Sequence, residues 1–264
     1  MPTLLMYERV VAVNRDTHRQ WRLRPARLPM AFARGTNAVL LAGTELPLAA
    51  LDYPCVFVEA EQGMTMVAVV GLRDHENLMV DEQGQWAEHA YVPAFVRRYP
   101  FVLATEAGQD EMTVCLDEAF EGFNTDSGEA LFDAEGGETP YLQQLKRFML
   151  GYHQDMVRTT QFAARLLELD LLTEQTIDAQ LNGQTSSLKG FKVVDEARLR
   201  ALPPEVVQDL FTSGALGWIH AHLLSLNNVR RLGARLATRL TADQVMDQGN
   251  QGVEGAGAEA TSAS

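Results

Sequence analysis

The side chains of this sequence best suited to chemistry are arginines, one histidine and a run of carboxylates. Two polar clusters stand out, Phe32-Ala33-Arg34-Gly35-Thr36-Asn37 and Arg97-Arg98-Tyr99-Pro100. A guanidinium beside turn or aromatic residues suits forked recognition of a carboxylate or phosphate. The same groups suit structural pairing with the protein's own carboxylates, and both readings stand at this point. On a short helix ended by Tyr99-Pro100, Arg97 and Arg98 diverge by about 100°. One is expected to face the carboxylates of residues 106–138 and the other to enter a cleft with Arg34. His222 lies in an apolar segment, which fits a core histidine with one hydrogen bond or a general base. The candidate ligand-binding residues are therefore Arg34, Asn37, Arg97, Arg98 and His222, with no catalytic residue assigned.

Metal and cofactor chemistry finds little support. On a helix His220 and His222 point about 200° apart, so they do not share an ion. His18, His75, His89 and His153 show no ligand spacing. The acidic run Asp117 to Glu129 departs from the calcium-loop order, because Gly128 stands where an oxygen ligand belongs. It reads as a solvated loop pinned by Phe120, Phe123 and Phe132. No Walker loop, dinucleotide fingerprint or nucleophile elbow occurs. No cofactor and no metal are expected.

Composition narrows the class of partner. The 264 residues carry 22 Lys and Arg against 35 Asp and Glu, a formal charge of −13. That balance opposes a phosphate backbone, so nucleic acid is not an expected partner. The charge is segregated: residues 1–35 hold seven arginines, whereas residues 106–138 hold 11 carboxylates and no Lys or Arg. Such blocks either neutralise each other within the fold or present a partner surface. Cys55 and Cys115 sit in apolar runs and read as buried thiols. No run approaches the roughly 20 apolar residues of a membrane span. The first residues show neither a basic segment nor a cleavage site, which leads to the expectation of a cytoplasmic protein.

The elements that must position these groups change character near residue 138. Before it come short strands: Leu4 to Val13, Val39 to Leu41, a hairpin of Cys55–Glu59 with Met64–Leu72 across Gly63, and a pair from Phe101–Thr105 and Met112–Leu116 around Gly108. Short helices near 45–51 and 93–98 interrupt them. After it helices dominate. Thr139-Pro140 signals a start, and apolar residues at three- and four-residue steps predict one helix of about 30 residues, with a gap at Thr159-Thr160. Asn182-Gly183 marks a second hairpin. Asp195 caps a short helix, another runs to Gly214, and a last helix at about 215–238 is apolar all round at first, as in a central buried helix. The expected fold class is α+β, with a strand-rich N-terminal half packed on C-terminal helices in one domain over residues 1–240. Residues 241–264, without aromatics, are expected to form a disordered tail.

Several of these segments resemble the bacterial SapC family. They are Tyr7-Glu8-Arg9-Val10-Val11, Phe32 to Asn37, Leu51-Asp52-Tyr53-Pro54, Val92 to Phe101 with its Arg-Arg-Tyr-Pro-Phe run, Gly190 to Glu196 and Ala221 to Leu226. The resemblance covers nearly all of residues 1–240. His75 stands where the family pattern has Gly. The resemblance implies an association with bacterial surface layers, and the company of outer-membrane nutrient receptors and flavin-halogenase-like proteins. It brings no established catalytic residues.

Two functions follow as expectations. One is a cytoplasmic, non-catalytic accessory or regulatory protein serving surface-layer or nutrient-uptake functions, with a protein partner. The other is an enzyme or small-anion-binding protein, with an arginine-lined pocket between the β-rich half and the helices.

Overall fold

The computed structural model describes residues 6–60, 63–105, 112–181 and 184–241. The chain opens with β1 (Val10–Ala12), α1 (Arg15–His18), β2 (Arg22–Leu23), β3 (Ala38–Leu40) and α2 (Leu46–Ala49). It continues through β4 (Cys55–Ala60), β5 (Gly63–Val69), α3 (Ala94–Arg97), β6 (Phe101–Thr105) and β7 (Met112–Asp117). The two-residue strands β8 (Phe123–Asn124) and β9 (Glu129–Ala130) precede the long helix α4 (Pro140–Glu168). After it come β10 (Leu172–Leu181), β11 (Gln184–Val194), α5 (Glu196–Arg200), α6 (Pro204–Thr212) and α7 (Ala215–Ser225). Residues 229–241 form a further helix, α8. The α+β class is as expected.

Three antiparallel sheets carry the strands, in the orders β1-β7-β6, β10-β11-β4-β5-β3 and β8-β2-β9. The expected β4–β5 hairpin is present, pairing Cys55 with Ala68 and Ala60 with Gly63, so that Gly63 opens β5 rather than making the turn. The second hairpin is longer than its sequence signal, running from Leu172↔Val194 to Leu181↔Gln184. It joins the sheet through Phe191↔Val58 and Lys192↔Phe57. The turns assigned to Gly108 and Asn182-Gly183, residues 4–5 of the first expected strand and the tail beyond residue 241 lie outside the described residues. Of that strand only Val10–Ala12 forms, residues 6–9 being irregular.

α4 begins where Thr139 accepts a hydrogen bond from Leu142 N, with Pro140 as its first residue. Its apolar face (Tyr152, Phe162, Ala163, Leu166) packs against the five-stranded sheet. The gap at Thr159 has a physical cause. This side chain faces the core, accepts from Gly43 N at 2.8 Å and donates to Asp155 O. A hydroxyl can satisfy a buried N–H there, and an aliphatic side chain cannot.

The last helix departs from expectation in two ways. A 3₁₀ turn, Leu226–Asn228, divides it into α7 and α8. Asn228 donates to Ala50 O and Tyr53 O, which fixes that break. Nor is α7 buried all round: Ile219, His222 and Ser225 face inward, while Leu224 is 69% exposed. The acidic run also holds a surprise. Asp117 is fully buried, accepting from Glu8 N, Arg9 N, Ala119 N and Tyr99 Oη, and it ties the N-terminal strand to β7.

Candidate functional site

A cleft of about 1370 Å³ opens between residues 73–83 and the outer face of α8. α8 is two-faced: Leu232 and Leu236 enter the core, while Arg231, Arg235 and Arg239, spaced by four, line the cleft. Four-residue steps put side chains on one helical face, so both stripes follow from the sequence. The opposite wall folds around Asn77, which is 2% exposed. Asn77 donates from its backbone to Arg34 O and from Nδ2 to Ala33 O, and its Oδ1 accepts from Met79 N.

Two arginines fix this wall in place. Arg34 Nη2 donates to Asp81 O at 2.9 Å and to Glu82 O at 2.6 Å. From the other side Arg239 donates to Asn77 O and Val80 O, each at 2.8 Å. Their partners are neutral carbonyls, so both positive charges remain uncompensated by these bonds. Arg231 is anchored to Leu51 O and lies 3.7 Å from Asp52. Arg73 pairs with Glu76. Arg235 differs: it is exposed and, among the described residues, makes no hydrogen bond or ion pair, though its charge reaches the buried Tyr53 hydroxyl.

The candidate residues fall in separate places. Arg34 lines the cleft. Asn37 lies behind it, its Nδ2 3.4 Å from Oδ1 of the lining Asp74. Arg97 does not reach the cleft. Its Nε donates to Val92 O, its Nη2 donates to Tyr91 Oη, and Glu45 stands 3.9 Å away. Arg98 stacks over the rings of Phe95, Tyr7 and Tyr152. Among the described residues neither arginine therefore forms an ion pair with the carboxylates of the 106–138 stretch, and neither lines the cleft with Arg34. Their aromatic neighbours lie closer along the chain and in the core, and a flat guanidinium stacks on such faces.

His222 is wholly buried. Its Nε2 accepts from Val194 N at 3.0 Å, so Nδ1 carries the proton and donates to Cys55 O. Burial lowers its pKa to about 4, with the Cys55 carbonyl acting in the opposite direction. Burial likewise pushes the Cys55 thiol up to about 12. Burial, and next the carboxylate of Glu45, raise the Tyr91 hydroxyl to about 12. Among the described residues no group of three or more His, Cys, Asp or Glu could hold a metal ion. None of their helices is long and apolar enough to cross a membrane.

The SapC family model matches residues 13–232, most of the chain. The chain belongs to the SapC family. No curated protein and no solved structure matches it. The matched SapC region takes in the 73–83 wall of the cleft and ends inside α8, so Arg231 falls within it and Arg235 and Arg239 just beyond. The α8 arginines are not among the candidate ligand-binding residues drawn from the sequence. The missed signal was their four-residue spacing, which places like charges side by side on one face.

Proposed function

We propose that this SapC-family chain is a cytoplasmic, non-catalytic accessory or regulatory protein of bacterial surface-layer or nutrient-uptake systems, and that it acts by recognition in the cleft. The observation that carries this reading is the cleft's make-up. Arg34, Arg73, Arg231 and Arg239 are hydrogen-bonded in place and Arg235 has no hydrogen-bond or ion-pair partner among the described residues, as in a recognition site. His222 and Cys55 are built into the core between strands and helix, and His75 is the one histidine of the cleft lining.

The test is incubation of the protein with a bacterial metabolite extract, read by native mass spectrometry and by the extract's composition over time. The expected result is a bound low-mass species that is retained unchanged and lost when Thr238→Trp fills the cleft. Time-dependent conversion of a metabolite, abolished by the same substitution, would instead establish an enzyme.

A further inference from the structure

We infer that the cleft binds a short peptide end to end, its terminal carboxylate on Arg235 and its ammonium group against the acidic opposite wall. The inference rests on the recognition reading above and names the ligand class. Arg231, Arg235 and Arg239 stand at successive four-residue steps on α8. Like charges so placed repel, and helices ordinarily interleave acidic residues among them. Here the outer two are fastened to main-chain carbonyls, and Arg231 also lies near Asp52, so the middle guanidinium keeps its whole fork for an incoming group. A planar fork matches a carboxylate with two parallel bonds.

The facing wall carries the opposite balance. Asp74, Glu76, Asp81 and Glu82 line it beside Arg34, Arg73 and His75, with Arg73 paired to Glu76 and Arg34 bonded to main-chain carbonyls. Asp74 and Asp81 each accept one hydrogen bond, from Asn37 Nδ2 and Gln85 N, while the Glu82 carboxylate has none among the described residues. These carboxylates disfavour a polyanion and favour a ligand whose far end is cationic. A cationic helix face opposite a wall whose four carboxylates outnumber its two guanidinium groups selects a zwitterion. A volume of about 1370 Å³ exceeds what a free amino acid fills and suits a peptide of a few residues.

The experiment uses the full chain and a mixture of unblocked tetrapeptides with randomised side chains, compared with the same mixture C-amidated and N-acetylated. Binding is read by native mass spectrometry and calorimetry. The unblocked mixture is expected to bind, and each blocked mixture to bind at least about tenfold more weakly. Arg235→Gln is expected to abolish binding and Arg235→Lys to leave part of it. The melting temperature of both should stay within about 1–2 °C of the parent, since Arg235 has no hydrogen-bond or ion-pair partner among the described residues to lose. Indifference to amidation removes the carboxylate from the scheme, and indifference to acetylation removes the acidic wall. Either result, or no binding of the unblocked mixture, overturns the inference. If the extract assay still yields a species bound in the cleft that tetrapeptides fail to displace, the ligand class alone is wrong. If the extract yields none, the recognition reading falls with it.

Discussion

At His222 the imidazole joins three elements: α7 supplies it, β11 donates to one nitrogen at Val194, and β4 accepts from the other at Cys55. Ser225, one turn on, accepts from Cys55 N and donates to His222 O. The neutral ring satisfies both bonds, whereas protonation of Nε2 would set two donors against each other. Burial is the larger influence and lowers the ring's pKa, while the Cys55 carbonyl acts against it. An unfolded histidine titrates near 6.5 and this folded one near 4. Between those values the unfolded state holds the extra proton. The stability due to the neutral ring is complete above about pH 6.5, erodes as the pH falls, and is fully lost near pH 4. The full effect is about 3 kcal/mol, of which about 2 kcal/mol is lost by pH 5. Urea unfolding of the parent and His222→Gln at pH 7.5 and pH 5.0 should show their stability difference shrinking by about that amount. A constant difference would mean that the ring titrates as in water. The sequence located this histidine in an apolar stretch and left open core residue or base. Its partners, 28 and 167 residues away, decided the question, and no local pattern encodes contacts at that range.

Among the elements, those with local signals were legible and those fixed by distant bonds were not. The Thr139-Pro140 start, the Asp195 cap and the β4–β5 hairpin all carry their instructions within a few residues. The break between α7 and α8 does not, because Asn228 bonds to carbonyls at residues 50 and 53. The small sheet β8-β2-β9 was invisible for a related reason: two-residue strands have no period to read. The cleft wall depends on one such distant contact, at Gly71. Val70 N and Gly71 N both donate to Asn37 O, and the turn then folds back so that Glu76 O lies against the Gly71 α-carbon. A Cβ there would overlap Glu76 O and come within 3.2 Å of Asn37 Cα, both of them backbone atoms that cannot swing away. Gly71→Ala should therefore cost roughly 1–3 kcal/mol by overpacking and loosen the turn bearing Arg73, Asp74 and His75. Amide exchange across 72–76 should quicken while α4 stays protected. Gly151→Ala is the contrasting case. Nothing approaches its Cβ position within α4, so it should stabilise by roughly 0.5–1 kcal/mol. Equal effects of the two substitutions on denaturant midpoint would refute the packing argument.

On the scale of the whole molecule, the change of character near residue 138 invites a division that the packing opposes. β11, from the helical half, hydrogen-bonds directly to β4 in the strand-rich half, so one sheet spans both. The main core draws Val56, Phe57 and Met66 together with Phe162, Leu166, Ile219 and Leu236. A second core joins Phe101 and Leu116 of β6 and β7 to Leu142 and Met149 of α4. Each half alone would expose one side of both cores. At about 25 cal/mol per Å² of apolar surface, such exposure outweighs the marginal stability of an ordinary domain. The expected behaviour is a single folding unit over residues 1–240. The turn at Asp133–Gly137, exposed except at Gly136, offers a place to test this, since a protease site inserted at its exposed residues 133–135 would separate the halves covalently. After cleavage the two pieces should remain associated and melt in one transition at a slightly lower temperature. Neither piece expressed alone should show cooperative unfolding. Two separate transitions after cleavage, or one half folding cooperatively by itself, would show that the boundary in sequence character is also a boundary between domains.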